Sequence, residues 1–406
     1  MSRGYWFTIS FVAASTLFVS LININLLRVN ERQSSDRLHE NSLIPEAIER
    51  CKEDTIKATS NDNVTLPSPS VFLHVGPGKM ATTTIQESID NDTCELSQDN
   101  FCIYNPQKFQ AQGGAIRLGL YNDLKHPRAQ KMLHFFEYCH DIQQSMLLSS
   151  EDLGLLDKEN WERVLKPSFQ MWGKTTIVVG YRRFYFWAHS VWFQIFRNYI
   201  ERGWPKNIDD MSSQIPSFHE FYHTTDILKL LYTDNYIDHW RELGIEDFLV
   251  YNVHESPNVV KNFYCSTLGL THTCEKYLDM PTVKTVNKGF GIQHDRLACA
   301  LYFKNFIDPK KIDRVEAGKK ILNFFKERNI VFEEISQSCF TEAEMDAVLE
   351  RSKKLEEKLL PDFYASERGM LTMADELQEA RDKLFCEVNI TDVINKYGED
   401  LRSIFS

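Results

Sequence analysis

Between a polar, proline- and serine-rich run and a helix-like segment the chain reads VFLHVGPGKMATTTIQESID, residues 71–90. The first five residues have the short apolar run of a buried strand. The next six, GPGKMA, crowd two glycines and a proline into a tight turn. From Thr82 the pattern is helical, with Ile85 and Ile89 four apart on one face. Strand, glycine turn and helix together make an anion cradle: the unpaired N–H groups and positive dipole end of the helix face the turn, and Lys79 adds a full charge.

The cradle departs from the loop of nucleotide triphosphatases, G-x-x-x-x-G-K-[ST], in which the residue after Lys binds magnesium. Here only Pro77 separates Gly76 from Gly78, and Met80 follows Lys79. The loop is too short to wrap a β-phosphate and lacks that hydroxyl, which places a P-loop kinase or ATPase behind a protein that holds one terminal phosphate or phosphosulfate without metal. Thr82, Thr83 and Thr84 offer hydroxyls in the first helical turn.

Outward from this stretch, short apolar runs alternate with helix-like segments. FCIYN (101–105) is followed by a mixed segment, SMLLSS (145–150) by KENWERVLKPSF (158–169), TTIVVGY (175–181) by FYFWAHSVWFQIFRNYIERGW (184–204), and DFLVYNV (247–253) by NVVKNFYCSTLG (258–269). This order predicts an α/β, P-loop-like three-layer fold with a central parallel sheet, whose ligands sit at the carboxyl ends of the strands. From about 336 the chain turns helical and charged. Met345, Val348, Leu349, Leu355, Leu359 and Leu360 form an apolar stripe that reads as a packing helix.

The stretch LHVGPGKMATTTIQ resembles the 5′-phosphosulfate-binding loop of the sulfotransferases that use 3′-phosphoadenosine 5′-phosphosulfate, where a strand leads through P-K-[ST]-G-T-[ST] into a helix. Met80 and Ala81 stand where that family usually has a hydroxyl residue and Gly. The Ala81 methyl restricts how closely a ligand approaches the backbone. The resemblance implies a co-substrate site made by Gly76, Pro77, Gly78, Lys79, Met80, Ala81, Thr82, Thr83 and Thr84. It extends to Arg182, ending a strand, and Ser190, eight residues on in the next helix, which match the family's 3′-phosphate motif. A guanidinium at the strand end and a hydroxyl about two helical turns along suit that role. Arg183 is one position out of this register. The competing reading is a surface arginine pair before a helix whose Phe184, Tyr185, Trp187, Trp192 and Phe193 only pack.

Sulfuryl transfer to an alcohol needs a base at a neighbouring strand end. Glu151 follows the SMLLSS run, where the family carries its catalytic His or Glu, and is assigned that role. Asp152, a histidine of HPRAQKMLHFFEYCH, and simple capping of the next helix by the carboxylates remain alternatives. His74, inside the first strand, reads as a core or supporting residue. Lys79 is expected to stabilise the charge that builds on the bridging oxygen, with no metal. Lys288 in TVNKGFG (285–291) matches the basic loop that closes over the 3′-phosphate.

The N-terminus sets the compartment. Residues 4–27 contain no charged side chain and are long enough to cross about 30 Å of hydrocarbon. A cleavable signal peptide would have an apolar region of only about 7 to 15 residues. Residues 1–3 then form a cytoplasmic tail, 28–69 a polar stem, 70–335 the sulfotransferase domain and 336–406 a C-terminal helical extension. Flanking arginines do not fix the orientation, since Arg28, Arg32 and Arg37 follow the span and only Arg3 precedes it. The sequons at Asn63, Asn91 and Asn389 point to the secretory lumen, and the resemblance implies a single-pass Golgi membrane protein. Among nine cysteines, Cys265 and Cys274 are expected to bridge a short loop, and Cys51 is available for a bridge within a homodimer. A net charge of −11 excludes a general nucleic-acid binder. The expected acceptor is a carbohydrate or glycolipid, with Lys304, Lys310, Lys311, Arg314, Lys319 and Lys320 as a local basic cluster. A protein tyrosine fits the same chemistry. From a different class, a catalytically inert membrane-anchored binding protein that keeps this fold is the alternative.

Overall fold

The computed structural model describes residues 68–103, 127–200, 203–206, 216–280, 292–331, 335 and 337–406, all within a compact unit that begins at Asn63. The expected span at 4–27, most of the stem, Cys51, Asn63 and Lys288 lie outside the described residues. Among the described residues no helix is long and apolar enough to cross a membrane.

The elements named below are β1 (Val71–Val75), α1 (Thr82–Asn91), β2 (Phe101–Ile103), α2 (Pro127–Asp141), β3 (Ser145–Ser149), β4 (Thr175–Tyr181) and α3 (Phe184–Ile200). They continue with α4 (Phe218–Thr224), α5 (Thr233–Glu242), β5 (Asp247–Asn252), α6 (Ile292–Phe303), α7 (Arg314–Glu327), β6 (Gln337–Cys339), α8 (Glu342–Leu359), α9 (Glu367–Leu384), β7 (Cys386–Val388) and α10 (Ile390–Ser403).

The first five strands form one sheet in the order β2-β3-β1-β4-β5, parallel throughout. Strands buried on both faces explain the apolar runs. Val71, Leu73 and Val75 of β1 join Met146, Leu148 and Ile177 in a core with Phe135 and Phe136 of α2, Trp161 and Trp240. The opposite face, with Leu147 and Val178, packs on Ile85 and Ile89 of α1 and on Phe184, Tyr185, Trp187 and Trp192 of α3. Helices therefore cover both faces, giving three layers. The chain leaves β1 toward the β2 edge and leaves β4 toward the β5 edge. The crevice of such a sheet lies between two neighbours whose connections diverge in this way, at their carboxyl ends.

The C-terminal region is built into this frame. Met345, Val348 and Leu355 of α8 belong to the same core as α1 and α3, which is the packing role their stripe predicts. α6, α7 and α10 enclose a further core around Leu297, Leu301, Ile321, Phe324, Val393 and Leu401. Arg314, read from sequence as part of a local basic cluster, is buried there and paired with Asp295. Lys304, Lys310, Lys311, Lys319 and Lys320 are exposed.

Cys265 and Cys274 are bonded as expected. Two further disulfides, Cys102–Cys139 and Cys339–Cys386, join β2 to α2 and β6 to β7, and Cys94 is also disulfide-bonded. The Cys265–Cys274 loop is docked by Asp99, whose carboxylate accepts the backbone N–H groups of Thr271, His272 and Thr273 at 2.8–2.9 Å.

Candidate functional site

At the carboxyl end of β1 the turn predicted from glycine and proline carries two left-handed residues, Lys79 (φ 72°) and Ala81 (φ 59°), on either side of Met80. Left-handed backbone costs an ordinary L-residue about 1–2 kcal/mol, so the loop is held in place by its surroundings. Three consecutive carbonyls show how. Gly78 O accepts from Trp187 Nε1 of α3 at 3.1 Å, Lys79 O from Arg182 Nη1 at 3.3 Å, and Met80 O from Tyr251 Oη of β5 at 2.8 Å. In a trans peptide the N–H lies opposite its C=O. Drawing these carbonyls toward α3, the end of β4 and β5 therefore turns the amides of Lys79, Met80 and Ala81 the other way, the arrangement of an anion-binding nest.

The site residues predicted from sequence take distinct positions. Gly76 and Pro77 are buried at the end of β1, Gly78 and Lys79 are half-buried, and Thr83 is exposed at the head of α1 with Thr84 behind it. The Met80 side chain is wholly buried, so its contribution to a ligand is its backbone. It packs against Gly180 of β4, where a Cβ would stand 2.6 Å from Met80 Cβ and 2.6 Å from Tyr251 Oη. Ala81 is the residue preceding α1 and holds the left-handed conformation for which glycine is the usual choice. The resemblance places glycine at this same position.

Thr82 is buried, and its hydroxyl donates to one carboxylate oxygen of Glu151, two residues beyond the end of β3. The other oxygen of Glu151 is 3.6 Å from where a Cβ on Gly78 would lie. The expected base and the anion loop are thus in one place, beside Gln194 Oε1, 3.4 Å from the same point. The Asp152 side chain lies outside the described part of the structure.

Arg182 and Arg183 have different partners in the structure. Arg182 reaches the loop, and burial lowers its pKa, a penalty on the cation that an arriving phosphate would offset. Arg183, read as a possible surface neighbour, is buried and binds Glu356 of α8 at 3.3 Å and Glu376 of α9 at 2.5 Å. It anchors the C-terminal helices. Ser190 stands on α3 with its hydroxyl donating to Phe186 O at 2.8 Å, so the helix orients it.

Two contributors were missed. Trp187 reads as a packing aromatic, yet its indole N–H holds Gly78. Tyr251 looks like one more apolar residue of a strand, yet burial, with the charge of Glu151 adding to it, raises its pKa well above the ordinary phenol, keeping it a donor. His74 supports it: Nε2 is 3.1 Å from Tyr251 Oη and Nδ1 2.5 Å from Ser149 Oγ. Because the Tyr251 proton goes to Met80 O, His74 donates from Nε2 and accepts from Ser149. Burial lowers its pKa to about 3, which keeps the ring neutral.

A separate cleft of about 610 Å³ lies at the amino ends of β1, β4 and β5, lined by Ser70, Phe72, Trp172, Lys174 and Asp247. Its charged lining residues are paired with each other, Lys174 to Asp247 at 2.9 Å, so the convergent chemistry belongs to the carboxyl end.

No model of a known protein family and no curated protein matches the chain. A solved structure from the PezAT chromosomal toxin-antitoxin system of the human pathogen Streptococcus pneumoniae is similar at 15% identity, with a TM-score of 0.25, over 54% of this chain and 81% of its own.

Proposed function

We propose that the protein is a sulfotransferase of P-loop-like architecture that moves a sulfuryl group from 3′-phosphoadenosine 5′-phosphosulfate to a hydroxyl, most plainly one on a glycan or glycolipid. The observation that carries this reading is the junction of the two expected phosphate motifs: Arg182 at the end of β4 donates to the carbonyl of Lys79 in the loop after β1, at the switch point of the sheet. Glu151 beside that loop completes a set with defined roles. The acceptor oxygen forms a bond to sulfur as its proton passes to the Glu151 carboxylate. The bond from sulfur to the bridging oxygen breaks, and its electron pair stays on the 5′-phosphate, where Lys79 and the loop amides offset the charge. Arg182, with Ser190 on α3, would hold the 3′-phosphate. Lys288 is assigned to the same phosphate on the resemblance alone.

Independent features support a compartment. Disulfides persist in oxidising compartments, and the sequon residues Asn91 and Asn389 are both exposed. With an anchor at 4–27, these features support a Golgi-membrane protein whose domain faces the lumen. One observation favours a second reading, a nucleotide-binding protein without turnover: the loop has strain at Ala81 and a buried Met80 where the family has glycine and a hydroxyl. Thermal shift of the full chain with 3′-phosphoadenosine 5′-phosphate tests the common ground. A rise in melting temperature supports both readings, and no shift at saturating nucleotide overturns both. Sulfate transfer to a panel of glycans and glycolipids then separates them.

A further inference from the structure

Two helices, α4 and α8, bring together side chains to which the proposed sulfuryl transfer gives no role. His219 and His223 lie four apart on α4, so both rings project from one side. α4 is fixed by a capping box between Ser217 and Glu220 and by buried Phe218 and Phe221. Glu344 belongs to a second capping box, at the start of α8. One of its oxygens, Oε2, is consumed there, accepting from Thr341 N and Thr341 Oγ1, both at 2.7 Å. The other, Oε1, faces both imidazoles, 3.1 Å from His219 Nε2 and 2.6 Å from His223 Nε2. Both rings lean on Phe340, at 5.2 and 6.1 Å between centroids. The three donor atoms fall within 4.8 Å of one another.

We propose that His219, His223 and Glu344 form a binding site for a divalent transition-metal ion, zinc foremost. Two imidazoles and one carboxylate are a donor set suited to zinc and its neighbours, whereas calcium and magnesium demand oxygen ligands. Tetrahedral zinc with bonds of about 2.0–2.1 Å places its donors about 3.3–3.4 Å apart. The His219–Glu344 separation is already near that value. The His223–Glu344 separation requires an opening of less than an ångström, within reach of half-exposed side chains. The cap fixes the ligand oxygen from behind, the role outer partners play in metal sites. A water would complete the tetrahedron. Because His219 and Glu344 are 125 residues apart in the chain, the ion would clip α4 to α8, close to the Cys339–Cys386 bridge. This inference does not depend on the sulfotransferase reading.

The test uses the full chain after treatment with a chelator, titrated with zinc chloride and, separately, cobalt chloride. The expected result is one equivalent bound, a cobalt absorption spectrum of tetrahedral type and a melting temperature that rises with zinc. The double variant His219→Ala/His223→Ala should lose all three. Glu344→Gln keeps an oxygen for the Thr341 cap and should weaken zinc by at least the about 10- to 100-fold typical of losing a supporting partner. Absence of stoichiometric binding would overturn the proposal. So would a double variant that binds zinc and is stabilised as the unaltered chain is, or displacement of zinc by equimolar magnesium.

Discussion

Gly180→Ala tests whether the loop is held from beneath by β4. The added methyl would meet Met80 Cβ at 2.6 Å and Tyr251 Oη and Cζ at 2.6 and 2.7 Å. Neither neighbour yields easily, since Met80 Cβ is fixed to the loop backbone and the Tyr251 ring is fully buried. Overpacking of this kind costs about 1–3 kcal/mol, and displacing the Tyr251 hydroxyl from Met80 O adds about 0.5–1.5 kcal/mol. The sum is about 1.5–4.5 kcal/mol. With a urea dependence of about 3 kcal/mol per molar, the unfolding midpoint should fall by about 1 M. Gly318→Ala is the control of opposite sign. Gly318 lies inside α7 with nothing among the described residues, beyond the backbone of its own helix, within 4 Å of an added Cβ, so alanine should stabilise by about 0.4–1 kcal/mol. Because the Met80 carbonyl sets the loop, Gly180→Ala should also weaken 3′-phosphoadenosine 5′-phosphate binding, measured calorimetrically. A Gly180→Ala protein with an unchanged midpoint and unchanged nucleotide affinity would refute the reasoning.

Three more predictions use the same site. Lys79→Ala should abolish transfer, while Arg182→Ala should chiefly weaken nucleotide binding by about 1.5–3 kcal/mol; isothermal titration and initial rates distinguish these, and negligible effects of both would remove the assignment. Glu151→Gln preserves an acceptor for Thr82 but loses the base, so turnover should drop about 10²-fold or more with nucleotide affinity intact, and Asp152→Asn should keep most activity; the reverse order moves the base by one residue. In the folded protein His74 has a pKa of about 3, below its ordinary 6.5, so the unfolded chain binds the extra proton and stability is lost as pH falls through 6.5, at up to about 1.4 kcal/mol per unit. Burial raises Asp295 to about 6 and acts in the opposite sense, so the comparison is with His74→Gln, whose midpoint should fall less between pH 7.5 and 5.5 than that of the unaltered chain.

The sheet was legible because its strands are short apolar runs closed by turn residues. TTIVVGY coincides with β4, and DFLVYNV exceeds β5 by one residue. The turn between β1 and α1 was legible for the same local reason, since glycine, proline and the first helical turn stand in one stretch. What escaped is non-local. Spacing to Ser190 sets Arg183 out of register with Arg182 but does not show what Arg183 binds, because its partners lie 173 and 193 residues further on. Trp187 and Tyr251 carry a polar atom on a mostly apolar body, and sequence periodicity registers only the body. The disulfides Cys102–Cys139 and Cys339–Cys386 span 37 and 47 residues, separations at which pairing follows from the finished fold. The His219, His223 and Glu344 cluster escaped because its carboxylate comes from a different helix.

The Arg183 anchor has a consequence for the time at which the protein becomes competent. Its second carboxylate, Glu376, is made 193 residues after it, which at about 5–20 residues per second is an interval of roughly 10–40 s. For most of that interval the residues of β1, β3 and β4 have been made, whereas neither Glu356 nor Glu376, the carboxylates that pair with the residue next to Arg182, has. The end of β4 thus reaches its final electrostatic state only when nearly the whole chain has emerged. Competence at the carboxyl end of the sheet is thereby tied to completion of synthesis, and a prematurely terminated chain is born with its anchoring cation unmatched.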